Sequence, residues 1–310
     1  MENVIDVKNL VKKYGNLTAV DGISFGVKKG EIFGLLGENG AGKTTTLEMI
    51  EGLRKPSAGK ITILGHDAQR EMNEIKNRIG VQLQSSAYYS FLTLKEILDL
   101  FSGFYEKSLD TDELLSMVRL KGKENSFVGN LSGGQKQRFS IIASLINDPD
   151  VVFLDEPTTG LDPLARRNLW DIILKIKEQG KTIILTTHYM EEAEKLCDRI
   201  AIIERGKILA IGTVHELIKK VNNPFRINFV AKSLPETVKN KLKSCCGEFD
   251  TEAGKKDHFE LKLKSREDLK DALSVIEKLD YDDLQVTRAT LEELFIDLTG
   301  KAIADEEENV

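Results

Sequence analysis

A glycine-rich segment between an apolar run and a helical pattern is the feature that most constrains this chain. Gly37, Gly40 and Gly42 follow the run 32–36 in "GLLGENGAGKTTTLEMIEG", and a helix is expected from Lys43 onward. Glycine weakens regular structure. Its concentration here therefore indicates a loop whose bare backbone N–H groups surround an anion, with the positive end of the helix aimed at the same place. The pattern predicts a strand, a phosphate-binding loop and a helix.

The spacing from Gly37 to Thr44 fits G-x-x-x-x-G-K-[ST]. In this motif Lys43 is expected to reach the β and γ phosphates of a nucleotide, and the Thr44 hydroxyl is expected to bind Mg²⁺. A tight turn that happens to carry a lysine is disfavoured, because an apolar strand precedes the loop and an amphipathic helix follows it. The residues expected to bind the nucleotide here are Gly37, Glu38, Asn39, Gly40, Ala41, Gly42, Lys43, Thr44 and Thr45.

Bulk properties limit the classes of protein to consider. The chain has 310 residues, 41% hydrophobic and 30% charged, which suggests a globular protein of about two domains. It contains neither an apolar run long enough to span a membrane nor an apolar signal core, so a cytoplasmic location is predicted. The net charge of −6 argues against nucleic acid as the main partner. The cysteines are predicted to be reduced and structural.

Short apolar runs alternate with helical patterns along the first two thirds of the chain. Strands buried on both faces have this appearance, so the alternation predicts a mainly parallel α/β sheet. Such sheets bind ligands at the carboxyl ends of their strands. Several polar groups fall there and are expected to converge beside the phosphate loop: Gln84, Asp155, Glu156 and His188.

Asp155 ends the strand "VVFLD", and Glu156 follows it. The carboxylate of Asp155, at the end of the strand, is suited to holding Mg²⁺. If both residues lay on a strand, their side chains would point in opposite directions, so Glu156 would face a water molecule and act as the general base for hydrolysis. The alternative, a surface turn with two solvated carboxylates, is disfavoured by the phosphate loop in the same chain.

Two other polar residues leave alternatives open. His188 could contact the γ phosphate, the favoured interpretation, or cap the helix that follows it. Gln84 is less certain as a site residue, because Gln82 stands two positions earlier and would share its face of the strand.

A second loop, "LSGGQKQR", opens a helix with Ser132 and two glycines. One phosphate loop does not need a second anion cradle in the same site. The segment therefore either caps a helix for structural reasons or completes a site on another subunit.

With this segment the sequence resembles the ATP-binding-cassette ATPases over roughly residues 2–220. The segments "GENGAGKTT", "IGVQLQ", "LSGGQ", "VVFLDEPTTGLDP" and "TTHYMEEAEKLCDRIAIIERGK" occur in the order of that family. The resemblance implies a P-loop NTPase cassette with a helical signature subdomain, which binds ATP and Mg²⁺.

The resemblance also implies roles for single residues. Tyr14 matches the aromatic residue that stacks on adenine, and Gln84 matches the glutamine that senses Mg²⁺ and the membrane partner. Asp162 matches the loop that crosses between two sites in a head-to-tail dimer. The signature residues that would close over ATP bound to the opposite subunit are Ser132, Gly133, Gly134 and Gln135. Tyr88, Tyr89 and Phe91 are either exposed for docking on a membrane partner or buried loop anchors.

The composition changes near residue 222. Strand and helix patterns then follow in the order βαββαβ, which suggests a small ferredoxin-like α+β domain. Accordingly, the sequence predicts an ATPase domain over 1–221, an accessory domain over 222–300 and an acidic tail over 301–310. The ending resembles the C-terminal extension of drug-resistance and related exporter ATPases, in which a separate chain spans the membrane.

The interpretation favoured by the sequence is the ATPase subunit of a membrane exporter. It would pair head to tail with a second copy or a homologous ATPase subunit, and integral membrane permease subunits would hold it at the inner face of the membrane. A soluble regulatory or nucleic-acid-associated cassette that uses ATP as a switch is the alternative. A nucleotide kinase is disfavoured by the signature helix.

Overall fold

The computed structural model describes residues 3–83, 88–246, 248–251 and 257–300. These residues belong to two compact units, which divide between Thr213 and Val214. No helix among them is long and apolar enough to cross a bilayer. Gln84 and the predicted tail, 301–310, lie outside the described residues. The domain ranges 1–221, 222–300 and 301–310 stay predictions.

The described residues of the first unit form one mainly parallel and one antiparallel sheet. The strands in chain order are β1 (Asn3–Tyr14), β2 (Leu17–Lys28), β3 (Ile32–Leu36), β4 (Ala58–Ile63), β5 (His66–Asp67), β6 (Ile79–Gln82), β7 (Val151–Asp155), β8 (Thr182–Thr187), β9 (Arg199–Glu204) and β10 (Lys207–Gly212).

The larger sheet has the order β10-β9-β3-β8-β7-β6. All its neighbouring pairs are parallel except β9 and β10. Every residue of β3, β7 and β8 is buried, which explains their unbroken apolar sequences. The register pairs Leu36 with Thr187 and Asp155 with Thr186, so these strands end at one edge of the sheet.

The smaller sheet, in the order β2-β1-β4-β5, is antiparallel and was not predicted from the sequence. Its strands carry a less regular alternation of apolar residues, because β1 has shifts of register and Asn9 has a φ of +48°. Phe25 on β2 stacks on Phe33 on β3, with ring centroids 5.1 Å apart. The two sheets of this unit therefore share one apolar core.

Helices cover the larger sheet and form the predicted helical subdomain. They are α1 (Lys43–Ile50), α2 (Met72–Ile75), α3 (Leu94–Ser102), α4 (Thr111–Met117), α5 (Gly133–Ala143), α6 (Pro163–Glu178) and α7 (Met190–Leu196). Helices α3, α4 and α5 pack on one another. Side chains cap four of the starts: Thr93 caps α3, Asp110 caps α4, Ser132 caps α5 and Asp162 caps α6.

The second unit is a ferredoxin-like α+β domain, which confirms the predicted class. Its elements are α8 (Val214–Ile218), β11 (Phe225–Val230), α9 (Glu236–Cys245), β12 (Glu248–Thr251), β13 (His258–Leu263), α10 (Arg266–Ile276), β14 (Asp282–Arg288) and α11 (Leu291–Thr299). The sheet order is β12-β13-β11-β14, with antiparallel neighbours. Its own apolar cluster includes Ile227, Phe229 and Leu261.

The packing of β6 against the segment after α5 generates a stability prediction. A Cβ atom at Gly80 would overlap the backbone carbonyl oxygen of Ser144, whereas a Cβ atom at Gly129 would meet nothing within 4 Å. We expect Gly80→Ala to lower the free energy of unfolding by roughly 1–3 kcal/mol, the usual effect of overpacking. Gly129→Ala is the matched control and should leave the free energy of unfolding nearly unchanged. Equal urea-unfolding midpoints for the two variants would contradict this account.

Candidate functional site

The phosphate loop connects β3 to α1 at the carboxyl edge of the larger sheet. Gly40 and Gly42 have φ values of +80° and +102°, a backbone conformation that side chains disfavour. A Cβ atom at Gly42 would also lie 2.5 Å from the carbonyl oxygen of Ala19. The loop therefore requires glycine at this position for both conformational and steric reasons.

Lys43 is the first residue of α1, and it is 4% exposed. Its ammonium group donates to the carbonyl oxygens of Gly37, at 2.9 Å, and Glu38, at 3.1 Å. It also lies 3.1 Å from Oε1 of Glu156. A buried positive charge is thus held by two backbone dipoles and one carboxylate, at the point where the loop surrounds its anion site.

Asp155 ends β7 and lies beside Thr44, the residue that follows Lys43 in α1. Its Oδ1 accepts a hydrogen bond from the Thr44 hydroxyl at 3.2 Å and another from the Thr186 hydroxyl. Burial raises the pKa of Asp155, and the two hydroxyl groups oppose this rise. The oxygen atoms of Asp155 and Thr44 lie side by side, and hard oxygen ligands of this kind suit Mg²⁺. No group of three or more His, Cys, Asp and Glu side chains in the described ranges could hold a metal ion, so phosphate oxygens would have to complete such a site.

Glu156 does not continue the strand, in contrast to the geometry assumed from the sequence. Its φ is +46°, and its N–H donates to the Thr186 hydroxyl at 2.9 Å. This turn directs the carboxylate to a buried position between Lys43 and His188, whose Nδ1 lies 3.4 Å from Oε2. The different surroundings of Asp155 and Glu156 therefore come from a left-handed turn rather than from strand alternation.

The surroundings of Glu156 strongly favour its ionised form. The contact with His188 lowers its pKa, burial opposes this effect, and the charge and hydrogen bond of Lys43 lower it further, to about 2. The neighbouring Asp155 has its pKa raised instead. Adjacent carboxyl groups with divergent pKa values are typical of functional sites.

His188 is buried directly after β8, and its ring lies 4.1 Å from that of Tyr189. The cap position of α7 is occupied by Tyr189, and no side chain caps that helix. The helix-cap interpretation of His188 is therefore wrong, and the structure places its ring against Glu156.

Tyr14 lies at the end of β1 and is 40% exposed. The charged groups of Lys12 and Arg54 lie 5.1 Å and 5.7 Å from its ring centroid. The ring is therefore accessible and flanked by cations, as a platform for a planar group would be.

The signature segment lies on another surface of the first unit. Ser132 caps α5 and forms a capping box with Gln135. A cavity of about 560 Å³ brings this segment together with Asp162, Arg119 and Arg138. None of the described residues that line it belongs to the phosphate loop. The two predicted anion cradles are thus separate sites within one chain.

Two contacts that were not predicted, one of them buried, connect the segment after Asp162 with the segment after His188. Trp170 on α6 donates its indole N–H to Oε1 of Glu192 on α7 at 3.0 Å, and Glu192 is fully buried. The guanidinium carbon of Arg166 lies 4.0 Å from the ring centroid of Tyr189. Helix α6 begins after Asp162 and α7 begins after Tyr189, so the contacts join the two segments.

Glu51 is a buried carboxyl group that the sequence analysis missed. It follows α1, is 5% exposed, and neither of its oxygens has a hydrogen-bond partner. Burial, with the nearby charges of Asp155 and Glu48, raises its pKa to about 8. Glu51 stands at the end of α1, and the sequence there gives no signal that its pKa is raised. The rise depends on the residues that pack around the carboxyl group in the folded chain.

Glu156 and Glu51 lead to opposite predictions for stability against pH. Between pH 2 and pH 4.5 the unfolded chain binds a proton at Glu156 and the folded chain does not. The ionised carboxylate of Glu156 therefore stabilises the fold fully above pH 4.5, and this stabilisation is lost as the pH falls toward 2. We expect Glu156→Gln to be less stable than the parent at pH 6, by at most about 3 kcal/mol. The deficit should shrink as the pH falls toward 2.

The matched variant Glu51→Gln should behave in the opposite sense. Between pH 4.5 and about 8 the folded chain holds a proton at Glu51 that the unfolded chain has lost, so the parent loses stability as the pH rises. The variant should therefore gain stability relative to the parent over this range. Urea unfolding without nucleotide at several pH values tests both. Parallel pH profiles for the two variants would contradict the assigned surroundings.

Comparison with known proteins places this geometry in a family. Residues 20–159 match the ABC transporter family. The chain is 35% identical to the linearmycin resistance ATP-binding protein LnrL of Bacillus subtilis, over 97% of this chain and 100% of that protein. It is 46% identical to the Nod factor export ATP-binding protein I of Burkholderia orbicola, over 69% of this chain and 72% of that protein.

Solved structures show the same fold. An ATP-binding subunit of an ABC transporter matches with a TM-score of 0.64 and 32% identity, over 70% of this chain and 92% of that chain. An ATP-binding cassette in a dimeric post-hydrolysis state with ADP and Pi matches with a TM-score of 0.61 and 27% identity, over 67% of this chain and 98% of that chain. The chain therefore belongs to the ATP-binding subunits of ABC transporters, a family of nucleotide-binding ATPases that drive transport.

Proposed function

We propose that this chain is the ATP-hydrolysing subunit of a membrane exporter. It would pair head to tail with a second copy or a homologous ATPase subunit, and integral membrane permease subunits would hold it at the cytoplasmic face of the membrane. Two similarities support export: one with a resistance protein along almost the whole chain, and one with a protein named for Nod factor export.

The proposed residue roles follow the geometry of the site, except for that of Gln84, which rests on the family resemblance of the sequence. Lys43 and the loop N–H groups bind the β and γ phosphates, while Thr44 and Asp155 hold Mg²⁺, with Gln84 as a further ligand. Tyr14 stacks on the adenine. The bound Mg²⁺ supplies neutralisation of phosphate charge during hydrolysis.

The observation that carries the proposal is the buried contact of Lys43 with Glu156, at 3.1 Å. Lys43 holds the carboxylate in its ionised form, in which it accepts a proton. When phosphate oxygens are bound, the ammonium group of Lys43 also interacts with them, and its interaction with the Glu156 carboxylate weakens. The pKa of Glu156 then rises from about 2, and its carboxylate becomes a better general base for an attacking water.

His188 has two contacts to make in this scheme. Its Nδ1 lies near Glu156, so the ring keeps the carboxylate oriented after Lys43 turns away. The other ring nitrogen is left to contact the γ phosphate. His188 therefore positions both the base, Glu156, and the γ phosphate that the water attacks.

The separate signature cavity supports pairing with a second chain. Ser132, at the start of α5, and Asp162, at the start of α6, line it together. Backbone N–H groups at the start of α5 offer donors to an anion. Because the phosphate loop contributes nothing to this cavity among the described residues, we assign its ligand to ATP bound by the other subunit. The loop at Asp162 would cross between the two sites.

The aromatic segment after β6 supports a membrane partner. Tyr88 is half-buried and packs inward, with its ring 5.2 Å from that of Phe139 and 6.3 Å from that of Phe101. Tyr89 and Phe91 contact each other at 5.7 Å and are 54% and 72% exposed. The two alternatives for this segment thus apply to different residues, and Tyr89 and Phe91 form the proposed docking surface.

Replacing the proposed base tests the reaction. Glu156→Gln keeps the size of the side chain but removes the proton acceptor, so turnover should fall by roughly 10²- to 10⁴-fold while ATP and Mg²⁺ still bind. The variant should accumulate as an ATP-dependent dimer. The measurements are phosphate release, and size-exclusion chromatography with and without ATP and Mg²⁺.

Asp155→Asn is the matched control for this experiment. It makes the same chemical change one residue earlier and should weaken Mg²⁺ binding without trapping a dimer. Near-parental phosphate release by Glu156→Gln would remove Glu156 from the role of base. Slow release without a dimer would leave the base in place and overturn the head-to-tail pairing.

Replacing the exposed aromatic pair tests the membrane partner. The variant Tyr89→Ser/Phe91→Ser should lose most of its association with membranes of the source cells, because it loses apolar docking surface, and should keep ATP binding. The control Val286→Ser/Leu298→Ser removes exposed apolar side chains from the second unit and should sediment with membranes like the parent. Equal membrane fractions for both variants would count against this docking surface.

A further inference from the structure

The second unit contains a groove that the proposed ATPase cycle does not use. It has a volume of about 400 Å³, which is within the usual range of small-molecule sites. It is lined by His215, Ile218, Lys219, Pro224, Phe225, Arg266 and Arg288. All of these residues belong to the unit that begins at Val214.

The strand register explains why the arginines meet in this groove. Phe225, the first residue of β11, pairs with Leu263 on one side and with Arg288 on the other. Arg288 is the last residue of β14, and Arg266 begins α10 shortly after Leu263. His215 and Lys219 reach the same place from α8 and the residue that follows it.

The charge of the groove is unbalanced within the chain. Among the described residues, its lining includes His215, Lys219, Arg266 and Arg288 and no acidic residue. None of these basic side chains makes an ion pair with another described residue. Three other basic side chains of the unit, by contrast, have acidic partners: Arg226 pairs with Glu260 and Glu293, Lys262 with Glu248, and Lys239 with Glu236.

The chain as a whole carries a net charge of −6, so this cluster does not follow from a basic composition. Like charges held close together repel one another unless an anion lies between them. Arginine side chains bind phosphate through paired N–H donors, and lysine adds a point charge. An anion with several oxygen acceptors is thus the ligand that the polar part of the groove fits.

The other part of the lining is apolar. Ile218, Pro224 and Phe225 are each half-buried and contribute hydrocarbon surface to the groove. A bare inorganic ion would leave this surface without a partner. A ligand with a phosphate group and a short apolar portion would use both parts.

We propose that this groove binds a phosphate ester that carries an apolar portion. A phospholipid headgroup with the adjoining chain carbons and a soluble phosphorylated amphiphile share this chemistry. The site is independent of the phosphate loop. Its occupation would therefore give the second unit a ligand of its own, separate from ATP.

Binding is measured on the full chain by calorimetric titration, with ADP filling the nucleotide site. The probes are dihexanoyl phosphatidic acid below its micelle concentration and inorganic phosphate alone. We expect the phosphatidic acid to bind at least tenfold more tightly than phosphate. Flotation with phosphatidylglycerol or phosphatidylcholine vesicles distinguishes the sources: anion-dependent flotation indicates a lipid, and binding of the soluble probe alone indicates a soluble ligand.

Variants test whether the groove, rather than general charge, is responsible. Arg266→Gln/Arg288→Gln should weaken phosphatidic acid binding at least tenfold. The control Lys270→Gln/Lys278→Gln removes the same charge from exposed positions that do not line the groove and should not weaken it. Ile218→Ser should weaken binding of phosphatidic acid but not of phosphate. Absence of binding to every probe, or equal weakening by the two charge variants, would overturn the proposal.

Discussion

The buried ammonium group of Lys43 is the constraint on which the site depends. A charge removed from water is tolerated only where acceptors surround it, and here these are two loop carbonyls and the carboxylate of Glu156. The loop residues are near neighbours of Lys43, but Glu156 follows a strand more than a hundred positions later. This interaction therefore ties the phosphate loop after β3 to the end of β7, two strands away in the parallel sheet.

The same edge of the sheet shows how neighbouring groups of one type acquire different properties. Asp155 and Glu156 are adjacent in the chain, yet burial raises the pKa of the first, while His188 and Lys43 lower that of the second. A left-handed turn at Glu156 separates the two carboxyl groups. One of them is left beside the hydroxyl groups of Thr44 and Thr186, and the other beside Lys43 and His188.

Our two proposals assign a different kind of anion recognition to each unit. The first unit uses backbone N–H groups and one lysine at a helix start, an arrangement suited to phosphates in a fixed geometry. The second unit presents basic side chains beside apolar surface, and no acidic residue is among the described residues that line the groove with them. The linking contacts of Trp170 with Glu192 and of Arg166 with Tyr189 belong to the first unit, where they join the segments at Asp162 and His188.

The sequence by itself determined the elements that depend on neighbouring residues: the buried strands, the glycine loop, the cap at Ser132 and the βαββαβ order of the second unit, all present in the structure. The roles assigned to single site residues stay predictions. Only the tertiary structure decided the turn at Glu156, the raised pKa of Glu51, the antiparallel sheet of β1 and the basic groove. The physical reason is that periodicity and capping act over a few residues. Burial, ion pairing and strand register depend on groups that are distant in the chain, which a local pattern does not specify.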